Sequence, residues 1–198
     1  MGTRFRTMLA PINAPTGDGR RFATGAIKLA PTPFPLEWVR ERQGGHDGAV
    51  TVGAVHETSI ASVAQALEAG WVTADEVKEA GLDKDNLAIW ATGVMFDDVD
   101  REELPQLAQD VAQAMHLIGE RVLGPSVDLD SFEGIPVREG TDTEVTWDDV
   151  EEAELAGQDL KVELLVTEGR VRAGTLVSSP LSWRLPGRWH FWKKIRPR

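Results

Sequence analysis

The segment at residues 101–122 is the strongest constraint on how this chain folds. Leu104, Leu107, Val111, Met115, Ile118 and Val122 recur there at steps of three and four, so they line one side of a helix. Such a helix gains most of its stability by covering that stripe, because propensity alone holds short helices poorly in water. Asp100 is the expected N-cap and Gly124 the expected stop. The cover has to come from the rest of the chain, where the prevailing period is two.

Val50, Val52 and Ala54 alternate with Thr51 and Gly53, which predicts a half-buried strand after a turn-rich stretch at 44–48. A second strand is predicted over 86–96. A third carries Ser126, Asp128 and Asp130 on one face and Val127 and Leu129 on the other. Two more run over 160–167 and 171–177, with Glu168, Gly169 and Arg170 as a tight turn between them and Pro180 closing the run. Residues 11–25, which include Pro15, Thr16, Gly17, Asp18 and Gly19, read as a loop between short strands. Residues 59–82 predict two short helices broken near Gly70, the second opened by a capping box of Thr73 and Glu76. Residues 133–158 are acidic, with Gly134, Gly140 and Gly157 and few large apolar side chains, so a mobile exposed excursion is expected. The pattern is α+β without an internal repeat.

The 198 residues suit one domain. We take 1–180 as that domain and 181–198 as a basic aromatic tail, since 184–198 holds Arg184, Arg188, Lys193, Lys194, Arg196 and Arg198 and no acidic residue. A net charge of −11 argues against a nucleic-acid partner, because binding to phosphate backbones depends on Lys and Arg. With no cysteine there is no disulfide, thiolate metal site or cysteine nucleophile, and any covalent nucleophile is Ser, Thr, Lys or a carboxylate. No stretch reaches the roughly 20 apolar residues of a membrane span and the first ten hold no signal-peptide core, so a soluble cytoplasmic protein is expected. No cofactor is called for.

Four histidines are present. His116, inside the amphipathic segment, and His190, among tail aromatics, read as structural; His56 has nothing around it to shape a site. His46, between Gly45 and Asp47 and ahead of a predicted strand, is by itself a surface-turn histidine. Ser126 alone is an ordinary strand serine, because its hydroxyl becomes nucleophilic only beside a base. The acidic groups Asp128 and Asp130, or Asp97, Asp98 and Asp100, lack the glycine and terminal glutamate of a calcium loop. Residue types and spacing thus leave the activity open.

The order of segments resembles the prohead, or capsid maturation, serine proteases of tailed phages, particularly those of actinobacterial hosts. Three stretches carry the resemblance: Thr16-Gly17-Asp18-Gly19-Arg20 followed by Gly25-Ala26-Ile27; Gly45-His46-Asp47-Gly48-Ala49-Val50 followed by Val52-Gly53; and Ser126-Val127-Asp128-Leu129-Asp130 after the long helix. Gly174-Thr175-Leu176-Val177 matches the closing strand, so the resemblance spans about residues 8–180. It implies an α+β fold with a β-barrel core and flanking helices, similar to herpesvirus assemblin, and a serine endopeptidase with His46 as general base and Ser126 as nucleophile. The family's closing-strand glutamate falls here on Ala173, and the stretch 59–82 is longer than its counterpart. The third catalytic member is then Glu168 or Glu163; Glu168 is favoured because it aligns with another glutamate frequent in the family. The resemblance also implies the partners: the major capsid protein with its scaffold segment and further copies of this chain, met inside the assembling procapsid in the host cytoplasm, with no membrane or nucleic acid. A protease-like scaffold component without activity is the main rival reading, and a binding module unrelated to phage is a third.

Overall fold

Two long strands organise the chain. In the computed structural model, which describes residues 2–16, 19–39, 49–79, 81–120, 122–178 and 190–192, the elements in chain order are β1 (Arg4–Pro11), β2 (Arg20–Phe22), β3 (Ile27–Leu29), β4 (Phe34–Trp38), β5 (Val50–Ser62), α1 (Val63–Glu68), α2 (Ala74–Glu79), β6 (Leu87–Met95), α3 (Pro105–Gly119), β7 (Leu123–Arg138), α4 (Trp147–Leu155), β8 (Val162–Ser178) and β9 (His190–Trp192). β8 pairs along one edge with β7, antiparallel, from Leu123 opposite Ser178 to Arg138 opposite Val162. Its other edge takes three short parallel strands in succession: β2 at Leu164–Val166, β3 at Gly169–Val171 and β4 at Gly174–Leu176. From β4 the sheet continues antiparallel through β5, β6 and β1, and β9 pairs with Arg4, Phe5 and Arg6 of β1. The fold is mixed α+β, mostly strand, with the sheet curled into a half-barrel.

The concave side of that curl holds the main core, where Phe5, Leu9, Leu36, Val52, Val55, Ile89, Met95, Val127 and Leu176 are buried together. Period-two alternation puts them there, since alternate residues of a strand share a face. α3 closes over this core with Val111, Ala114 and Ile118, and the predicted stripe therefore packs against the sheet that carries Ser126. On the opposite side α1 covers a small second cluster of Ala66, Ala88 and Trp90. Gly93 shows why one position tolerates no side chain: a Cβ there would collide with the carbonyl oxygen of Ala54 and sit 2.7 Å from the Phe5 ring.

Several sequence expectations hold. β6 occupies the predicted 86–96 stretch, two short helices fall within 59–82, and the Thr73 capping box forms, with Thr73 N donating to Glu76 Oε2 at 2.8 Å and Glu76 N donating to Thr73 Oγ1 at 3.3 Å. Among the described residues no helix is long and apolar enough to cross a membrane.

Others need correction. α3 begins at Pro105 rather than Arg101, because proline has no N–H to lose in the first turn and its φ is already helical. Asp100 instead caps the turn ahead of it, accepting from Glu102 N at 2.7 Å. The helix ends at Gly119, Gly124 lies in β7, and Leu104 and Val122 are left exposed. The expected turn at Glu168, Gly169 and Arg170 does not exist: β8 runs through it. Gly169 is tightly surrounded there, since a Cβ would lie 3.2 Å from Ile27 Cδ1 and 3.3 Å from Leu129 Cδ1. Residues 133–158 are not a free excursion either. Glu133–Arg138 continue β7 in register with β8, and Thr146 and Asp149 form a capping box that starts α4. Composition understated this segment because its order comes from ladder hydrogen bonds, which any residue but proline can make.

Gly93→Ala is expected to lower stability by about 1–3 kcal/mol, since backbone on one side and an aromatic core ring on the other must both shift. Thermal denaturation measures it, and an unchanged midpoint would show that β5 and β6 can spread.

Candidate functional site

Ser126 lies on the sheet face away from the main core, half-buried, between Pro125 and Val127, which turn inward. Antiparallel pairing sets it opposite Thr175 of β8. Thr175 is in turn the parallel partner of Glu37 in β4, and Glu37 is opposite Thr51 in β5. Directly paired residues share a face, so Ser126, Thr175, Glu37 and Thr51 form one polar row across four strands. The alternate positions Leu36, Gly174 and Leu176 face the core.

The next polar group along β7 is Asp128, which is buried rather than exposed as the strand pattern alone implied. A bulge between Asp128 and Leu129 brings Arg172 of β8 against it, with Arg172 Nε donating to Asp128 Oδ2 at 2.8 Å. That hydrogen bond, with the charges of Asp128, Glu37 and Asp130, raises the Arg172 pKa against its own desolvation. Arg172 thus ties the carboxylates of β7 and β4 into one electrostatic unit beside Ser126.

The other expected site residues lie elsewhere. His46 falls outside the described residues, but the ends of its segment are defined: Trp38 pairs with Val50 to close the β4–β5 hairpin, and Trp38 also pairs with Leu176, next to Thr175. The strands that flank His46 in the chain, β4 and β5, therefore end beside the Ser126 row. Glu168 is not in that row. It sits seven residues before Thr175 on β8, opposite Glu133, roughly 23 Å away at about 3.3 Å per strand residue. Its exposed carboxylate accepts from Lys28 Nζ at 2.5 Å, and that bond with the Lys28 charge holds its pKa below the usual carboxylate range. Glu163 is farther still along β8, opposite Val137. Ser126 is thus brought together with Thr175, Glu37 and Asp128, and with neither glutamate expected to orient the base. His56 is exposed in mid-strand, at the β5 bulge, and His116 is exposed on α3.

Glu163 has a structural task instead. Its Oε1 accepts from Arg21 Nε at 2.6 Å and from Gly140 N at 3.2 Å, while Arg21 also reaches Asp142 Oδ1 at 2.7 Å and the Thr141 carbonyl. Burial opposes the Arg21 charge, but Asp142 and Glu163 outweigh it and raise its pKa. This pin joins β2, β8 and the turn after β7.

A cleft of about 500 Å³ opens on the same side of the sheet as Ser126, over β1, β5 and β6. Trp71 and Trp90 meet edge to face there, with ring centroids 6.0 Å apart, and the Arg6 guanidinium lies 5.0 Å from the centre of the Trp71 ring. Burial lowers the Arg6 pKa and the nearby Glu57 counters it. No residue of β7 or β8 lines this cleft.

The polar row and the Arg21 pin were not seen in the sequence. Phe34, Leu36 and Trp38 do alternate around Glu37, but nothing local indicates that β4 pairs with β8. Comparison with protein-family models, curated proteins and solved structures finds no match to this chain.

Arg21→Met is expected to destabilise the fold by about 3–5 kcal/mol, because it strands a buried carboxylate. Adding Glu163→Leu should recover much of the loss. Chemical denaturation of the two variants measures both, and a harmless Arg21→Met would mean that the Arg21–Glu163 pair adds nothing to stability.

Proposed function

We propose that this chain is a serine endopeptidase of the capsid maturation type, with Ser126 as nucleophile and His46 as general base. The single observation that carries the reading is the setting of Ser126: a half-buried residue on the outer face, beside the ends of the two strands that flank His46 in the chain. His46 is three residues before Ala49, a tether of at most roughly 10 Å, to which the imidazole adds its own length. Three strand spacings of about 4.8 Å separate β5 from β7, so contact between the two side chains is within reach.

In the reaction His46 takes the Ser126 Oγ proton as Oγ bonds to a peptide carbonyl carbon. The C–N bond then breaks, His46 returns that proton to the leaving amine, and water hydrolyses the acyl-enzyme by the same base. Backbone N–H groups are the simplest oxyanion donors. The substrates on this reading are the scaffold segment of the major capsid protein and the chain itself, met at high local concentration inside a procapsid in the host cytoplasm, where copies of this chain also associate. A curled, largely antiparallel sheet with helices packed on it supports extending the resemblance to an assemblin-like barrel. The tryptophan-lined cleft on the same side offers an extended polypeptide a second foothold.

A protease-like scaffold component without activity is the second reading. It is favoured by the commitment of Glu168 to Lys28 and of Glu163 to Arg21, which leaves the base without the expected orienting partner.

Co-expression with the capsid protein, followed by mass measurement of both chains, separates the two. Ser126→Ala and His46→Ala are each expected to abolish trimming, with a loss on the order of 10⁶ in rate and a double variant scarcely worse, because nucleophile and base act as a unit. Glu168→Gln should leave trimming intact. Continued trimming by Ser126→Ala in cells without other phage proteins would remove the enzyme reading and leave the scaffold one.

A further inference from the structure

We propose that Thr175 is a positioning residue for Ser126, donating a hydrogen bond from its Oγ1 to Ser126 Oγ; the inference rests on the reading of Ser126 as nucleophile. Thr175 is only 2% exposed, and its Oγ1 has no hydrogen-bond partner. A buried hydroxyl left unpaired is unfavourable, and native structures hold few of them. Valine would fill the same space on a strand without the polar atom. The hydroxyl therefore calls for an explanation from its surroundings.

Ser126 supplies one. It is the directly opposed residue on β7, and opposed side chains in an antiparallel pair share a face with Cα atoms roughly 4.5–5.5 Å apart. Ser and Thr in that relation form cross-strand hydrogen bonds, since each hydroxyl can turn to donate or to accept. Glu37, on the other side of Thr175, is the competing acceptor, but it already lies in the field of Arg172.

The proposed bond has three consequences for the reaction. It selects one Ser126 rotamer. It occupies a lone pair of Oγ while leaving the serine's own proton for the base. It also strengthens as negative charge gathers on Oγ during attack, since hydrogen bonds to ionised acceptors are the stronger kind. Thr175 keeps its proton throughout, and none of its covalent bonds breaks.

The test uses the full chain and a fluorophosphonate probe that labels an activated serine. Thr175→Val is expected to slow labelling of Ser126 at least tenfold while leaving the melting temperature equal or higher, and Thr175→Ser should restore most of the rate. Wild-type labelling speed in Thr175→Val would overturn the proposal. A double-mutant cycle on melting temperature with Ser126→Ala and Thr175→Val reads the contact without activity, and a non-additive shift is expected. Additive shifts alongside normal labelling would sink the Thr175 bond alone. A wild-type chain that labels no faster than Ser126→Ala would sink the protease reading and this role with it.

Discussion

The ladder between β7 and β8 is the interaction on which the remaining structure depends. It joins Leu123–Arg138 to Val162–Ser178, and each strand is far longer than the five or six residues usual in globular proteins. Such a long antiparallel pair coils strongly, and the register shifts at Asp128, Leu129 and Glu133 increase its local twist. The free edge of β8 then becomes the template for the short parallel strands β2, β3 and β4, of which β4 also pairs with β5. Through β4 the ladder reaches β5, β6 and β1, so the curl of one hairpin shapes the whole half-barrel.

The two ends of that hairpin carry different polar groups. At the far end, Arg21 donates to Glu163, Asp142 and the Thr141 carbonyl, while Glu163 Oε2 is buried without a hydrogen-bond partner. At the near end the row through Ser126, Thr175 and Glu37 contains a buried hydroxyl with no partner. Local departures from full satisfaction are most often found at functional sites. Each end thus carries one buried oxygen that the rest of the structure leaves unpaired.

What each residue does therefore depends on its neighbours across strands more than along the chain. Glu168 is a surface partner of Lys28, Glu163 is the buried partner of Arg21, and Asp128 is the partner of Arg172, although all three are acidic residues within the same paired strands. A carboxylate orients a catalytic base only from hydrogen-bond distance, and seven strand residues exceed that distance many times over.

By itself the sequence determined the period of each segment. The stripe of Leu107, Val111, Met115 and Ile118 made α3 legible, alternation marked β5 and β6, and Thr73 with Glu76 marked the start of α2, because these signals arise between residues within one or two turns of each other. It also supplied the candidate pair His46 and Ser126, through the order of short motifs. Pairing between strands was decided only in the tertiary structure. The merging of 160–167 and 171–177 into one strand, the continuation of β7 through the acidic stretch, the parallel seat of β4 on β8 and the separation of Glu168 from Ser126 all follow from backbone hydrogen bonds between segments distant in the chain. Those bonds use groups that nearly every residue carries, so they leave little trace in side-chain pattern.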